Sequence, residues 1–349
     1  MMRAVVITLA MLLSSASVNA ELGVQKHPSP DKLQTDFSPQ PLPFDSVGMV
    51  KSPLLMKRKN WSRAEWEASR YYTTESAVLR CLRWLKETQN GDGSWGGSSE
   101  PKSVATGVAL LTFLKHGDTP ASVEFGQTIE GGLKYLLLPL KQTANADGNR
   151  FPAIEHGICS QALCEAYAMT KIPALSASCT NAITAIITTQ RPSGLWHMRY
   201  EKEQGQDDRE ASVWQMLALK SALMAGIGIA ELRPTLTMAA EGMKKTIGEE
   251  SKEKKTGPAS LSLQCAGYGL DSACVAGLDA LRGLTMDWET PTFSNPVYHW
   301  YFITQVKFNY GGQVWKEWNK SFAQQLIKRQ HIIPEAVDGR WTDKKLDIG

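Results

Sequence analysis

Past residue 20 the chain has no apolar run long enough to cross a bilayer, little net charge, and scarcely any strand-like alternation of polar and apolar residues. Each lack excludes something. Lysine and arginine number 38 against 35 aspartate and glutamate, so the formal charge is only +3 and the charges are dispersed. Neither a nucleic-acid footprint nor a membrane-surface patch is indicated, and no transmembrane segment is expected. The short basic tracts at Lys57–Lys59 and Lys252–Lys255 read as solvated loops. The cysteines, at 81, 159, 164, 179, 265 and 274, include no Cys-x-x-Cys pair. They lie within apolar helical patterns and read as buried thiols, although export would permit a disulfide.

What is present begins with a leader. Arg3, the apolar "AVVITLAMLLSSAS" and the small-residue "VNA" ending at Ala20 form the pattern of a secretory signal peptide over residues 1–20. The expected localisation is therefore exported, periplasmic or secreted, after cleavage near Ala20. Residues 21–60 are rich in proline, serine and charge without periodicity and read as an extended surface segment. Residues 61–349 are long enough to form one large domain.

Within that domain two kinds of helix alternate. "ESAVLRCLRWLKETQ" carries Val78, Cys81, Leu82, Trp84 and Leu85 on one side and Arg80, Arg83, Lys86 and Glu87 on the other. "SVATGVALLTFLKHG", "GICSQALCEAYAMT" and "SVWQMLALKSALMAGIGI" are apolar nearly all round, which requires enclosure by other protein. Outer amphipathic helices are expected near 75–89, 124–142, 175–190, 231–248, 271–284 and 313–330. Inner helices are expected near 103–116, 155–170, 208–227, 258–268 and 295–310, with 61–72 as a sixth. The fold class is all-α, an array of helical-hairpin repeats.

Punctuation follows the outer helices. "QNGDGSWGG" begins at Gln89, "QTANADGNRF" 53 residues later at Gln142, and "QRPSGLW" 48 beyond that at Gln190. A last copy, "QHIIPEAVDGRW", starts at Gln330. The glutamine can satisfy backbone groups at a helix end, the glycine takes a left-handed turn, and the tryptophan packs back on the hairpin. Asp92 is expected to serve the turn.

The Gln-x-x-x-Gly-x-Trp copies at 89–95 and 190–196 resemble the repeats of the terpene cyclase and protein prenyltransferase β-subunit superfamily. In style they are closest to exported bacterial prenyltransferase/squalene-oxidase-repeat proteins. That resemblance implies an α/α toroid, an (α/α)5–6 barrel with an inner ring around an apolar cavity. It also implies reactive groups near the N-terminal ends of the inner helices. An apolar small molecule or lipid in the cavity, isoprenoid-like, is the partner it implies, and nucleic acid is not.

Four places put polar residues where the resemblance directs attention: Glu155 and His156; Asp207, Asp208 and Glu210; Asp271; and Asn295, Tyr298, His299, Trp300 and Tyr301. "QDDREAS" partly resembles the Asp-x-Asp-Asp-Thr-Ala segment of type II cyclases, making Asp208 the first proton donor to consider, with Glu155 and His156 beside it. The plainer reading of Asp207 and Asp208 is a helix cap. "VYHWYF" resembles the segment carrying a zinc-binding histidine in prenyltransferases, which points to His299. Asp271 and Cys274, however, stand one residue too far apart for the accompanying Asp-x-Cys pair. No cofactor is expected; a metal ion held by Glu155, His156, Asp208 and His299 is the alternative. Tyr298, Trp300, Tyr301 and Trp214 can offer π faces to a ligand, or simply pack as core. Two functions remain open beside the isoprenoid-directed one. They are a non-catalytic ligand-, peptide- or glycan-binding toroid, and an (α/α)6 enzyme acting on polysaccharide through paired carboxylates.

Overall fold

The computed structural model describes residues 74–97, 100–142, 152–201, 205–250 and 256–330. The leader, the segment 21–60, the helix expected at 61–72, the turn after Gln142 and Trp341 lie outside these residues.

Among the described residues there are eleven α-helices and no strand, only two isolated bridges. They are α1 Thr74–Glu87, α2 Lys102–His116, α3 Gly126–Gln142, α4 Ala153–Thr170, α5 Pro173–Thr188 and α6 Arg209–Ala225. Then come α7 Leu232–Glu250, α8 Gly257–Cys265, α9 Ser272–Leu281, α10 Pro296–Tyr310 and α11 Gly312–Arg329. None is long and apolar enough to cross a membrane.

The two helix types sort as their composition demands. The all-apolar helices pack in the order α2–α4–α6–α8–α10, each against the next. The amphipathic ones pack α3–α5–α7–α9, and α11 lies against α1. On α1, Ala77, Val78, Cys81, Leu82 and Leu85 are wholly buried while Lys86 and Glu87 are exposed. Arg80 and Arg83 are not spent on water. Arg80 donates to Gln330 and Arg83 to Glu124. On α2 and α6 nearly every residue is buried, which is why neither shows a polar face. Inner helices approach closely where a side chain is missing: a Cβ on Gly157 of α4 would stand 2.8 Å from Cβ of Trp214 on α6.

The turns repeat atom for atom. Gln89 Nε2 donates to the Gly93 and Thr128 carbonyls, and Gln190 Nε2 to those of Gly194 and Thr235. Trp95 Nε1 donates to Leu85 O at 2.7 Å, and Trp196 Nε1 to Ile186 O at 2.8 Å. Their backbone N–H groups donate to Thr106 and Ser212 at the heads of the following inner helices. Asp92 accepts from Ser94, so it does serve the turn. The glutamine thus ties the end of one outer helix to the first turn of the next, adding a second hydrogen bond to a carbonyl there. Gln330 does the same at the end of α11, donating to Ala77 O on α1 at 2.8 Å.

Lys307 of α10 is buried and donates to Arg282 O and Leu284 O just beyond α9, with its ammonium 4.5 Å above the Trp318 ring. Burial lowers its pKa to about 8.

Candidate functional site

Most of the residues singled out at the helix heads are held by a definite partner, while Asn295 precedes α10 without a side-chain cap hydrogen bond. Asp208 is the N-cap of α6, its Oδ1 accepting from Ala211 N at 2.7 Å. Asp207 pairs with Arg191 at 3.2 Å. Asp271 caps α9 through Ala273 N and pairs with Lys244 at 2.8 Å, and both hold its carboxyl below the usual range. The cap reading of Asp208 and Asp271 follows from short acidic side chains preceding a helix, where free N–H groups and the helix dipole await them.

Glu155, in the first turn of α4, accepts a short hydrogen bond from Ser103 Oγ of α2. His156 is 1% exposed, and its Nδ1 lies 2.5 Å from the Tyr200 hydroxyl. Its Nε2 is buried without a hydrogen bond. Burial alone lowers its pKa to about 4, so the imidazole is neutral at physiological pH. Tyr200 reaches it from a left-handed backbone, φ 59°.

The fifth inner helix, α10, divides its aromatics between two directions. His299 stacks on Phe293 with centroids 4.3 Å apart and meets Tyr298 edge-on. Trp300 turns toward Trp288, in the connection from α9. Tyr301 and Phe302 instead meet Trp214 of α6, with Tyr301 stacked at 6.0 Å and Phe302 edge-on at 5.7 Å. In the inner series α8 stands between α6 and α10, so these rings reach across to one another. Tyr298 joins the group through Phe302 and hydrogen-bonds Glu210. Much of the Glu210 side chain is exposed, yet its carboxyl is raised above the ordinary range. Desolvation is the larger cause and Asp208 the second, with the Tyr298 hydrogen bond opposing them.

A second polar group lies toward the opposite ends of the same helices and escaped the reading of the sequence. Glu165 of α4 accepts from Gln161 Nε2 at 2.9 Å and from Ser221 Oγ of α6 at 3.3 Å. Lys115 of α2 stands 4.0 Å from the same Oε1. Burial pushes the Tyr301 hydroxyl up, and the charges of Glu165 and Cys265 add to it; Gln305 Nε2 donates to the Tyr301 backbone carbonyl, and the hydroxyl itself makes no hydrogen bond. Burial raises the Cys265 thiol of α8, with the charges of Lys220 and Lys115 opposing and that of Glu165 adding. Three of the inner helices, α2, α4 and α6, therefore bring polar side chains together here. The available signal was the Gln161–Glu165 spacing, which puts two polar side chains on one face of an apolar helix.

Among the described residues no group of three or more His, Cys, Asp and Glu side chains is arranged to hold a metal ion. The six cysteines are free thiols, five of them buried. Compared with known proteins, the chain matches no family model, no curated protein and no solved structure.

Proposed function

We propose that the two helix series close into an α/α toroid, and that its interior binds an apolar, isoprenoid-like small molecule or lipid. Closure is supported by the consecutive packing of the inner helices and by Gln330, which repeats between α11 and α1 the bond that Gln89 and Gln190 make elsewhere. Residues 1–20 support export of the mature chain.

The observation that carries the binding reading is the stack of Trp214 on Tyr301 between two inner helices that are not consecutive. Aromatic faces meeting across an interior supply large apolar area with few rotatable bonds, which suits an unsaturated hydrocarbon ligand. Holding is favoured over transforming, because Asp208 and Asp271 spend their carboxylates on helix caps and, at Asp271, on Lys244.

Glu210 supports a second, catalytic reading. Its carboxyl is raised and hydrogen-bonded to Tyr298 at the head of the aromatic group, as a proton donor to an alkene would need.

Native mass spectrometry with geranylgeraniol and squalene, followed by extraction and product analysis, tests both. Binding predicts a stoichiometric complex, recovery of unchanged ligand, and loss of the complex in Trp214→Ala. A rearranged product that disappears in Glu210→Gln would replace binding with catalysis. No complex in the wild type would contradict both.

A further inference from the structure

The interior's polar neighbourhood has an unsatisfied member. Gln161 is 4% exposed, and its Nε2 is committed to Glu165 Oε1. Reversing the amide would set oxygen against carboxylate, so the orientation is fixed by Glu165. That leaves Gln161 Oε1 beside Glu165, buried and without a donor. An unfilled buried acceptor is costly, and the natural remedy is a donor supplied from outside the chain. Ser221 already gives its hydroxyl proton to Glu165, and Lys115 offsets the carboxylate charge from 4.0 Å. The group therefore calls for a hydrogen-bond donor without demanding a full positive charge.

Along the inner helices this polar end adjoins an apolar middle. Tyr301, stacked on Trp214, also feels the charge of Glu165. We propose that the interior is built for an amphiphile: an apolar body against Trp214 and Tyr301, and a hydroxyl or protonated amine donating to Gln161 Oε1 and Glu165. This rests on the interior-binding reading above and adds the chemistry of one end of the ligand.

Isothermal titration of the full chain with decan-1-ol, decylamine, decanoate and decane tests it. The alcohol or the amine should bind at least about tenfold tighter than decane, the worth of one hydrogen bond to a buried acceptor. Gln161→Leu should erase that margin while decane still binds, which also reports that the variant is folded. Glu165→Gln should weaken decylamine about tenfold or more and decan-1-ol less, so the two headgroups are told apart. Decane binding as tightly as decan-1-ol, decanoate binding tightest, or a margin that survives Gln161→Leu would each overturn the donor headgroup and leave the apolar interior standing. If none of the four binds the wild type, the interior-binding reading falls with it.

Discussion

Gln330 and Ala77 are 253 residues apart in sequence and joined by a 2.8 Å hydrogen bond between the last described helix and the first. The same side chain accepts from Arg80 Nε at 2.9 Å. Gln330 is buried, so replacing it with an apolar side chain removes two hydrogen bonds that fasten the last described helix to the first. Gln330→Leu is expected to lower stability by roughly 1–3 kcal/mol. The exposed Gln324→Ala on the same helix should stay within about 0.5 kcal/mol. Urea denaturation of the two variants checks this.

Glycine at the repeat turn is required for two separate reasons. Gly194 has φ 90°, and a Cβ there would sit 2.2 Å from the Met238 carbonyl of α7. Gly93 repeats the arrangement against Gly131 of α3, with φ 83° and 2.5 Å. Gly91, two residues before it, has open space and no left-handed backbone. Gly194→Ala and Gly93→Ala should each destabilise by more than about 1 kcal/mol, while Gly91→Ala stays near neutral. Thermal melts of the three variants decide it.

Burial of His156 makes stability pH-dependent in acid. Its folded pKa is near 4, below the ordinary value of 6.5, so the unfolded chain binds the proton first. Stability should therefore fall as pH drops from about 6.5 toward 4, by at most about 1.4 kcal/mol per pH unit. In His156→Asn that component is absent. The wild-type advantage over the variant should shrink across this window, read from denaturation midpoints at each pH.

Lys307 gives the opposite window. Its pKa of about 8 in the fold lies below the 10.5 of the free side chain. Between those values the unfolded state carries the extra proton, so folding gains as pH rises from 8 toward 10.5. Relative to Lys307→Met, the wild type should gain stability over that range, measured by the same denaturation series. At neutral pH the ammonium is retained by two carbonyls and the Trp318 ring.

Much of the architecture was legible because helix type follows from which faces carry polar residues. The expectation of an inner helix over 208–227 met Arg209–Ala225, bounded by the Asp208 cap and the left-handed Gly226. Where bounds slipped, local chemistry explains it. The helix expected over 258–268 stops at Cys265 because Gly267 turns left-handed at φ 91°, and α9 ends at Leu281 rather than 284. The repeat turns were legible in full at Gln89 and Gln190, since glutamine, glycine and tryptophan each have one geometric duty there. The Glu165 group was not. A single acid in "GICSQALCEAYAMT" looks like a surface residue, and its partners Lys115 and Ser221 come from helices whose alignment no linear spacing encodes. Sequence pointed to the heads of the inner helices; it held no signal for how Trp214 and Tyr301 would meet.

Ring closure underlies both the interior-binding proposal and the headgroup inference, and one distance tests it. Spin labels at exposed Lys86 on α1 and Lys328 on α11 can be read by pulsed electron–electron resonance in the full chain. Neighbouring helices 8–10 Å apart place the labels roughly 20–35 Å from one another in a single narrow distribution. Gln330→Leu should broaden that distribution. A wild-type distance beyond about 45 Å, as expected for an open array with its first and last helices apart, would contradict closure.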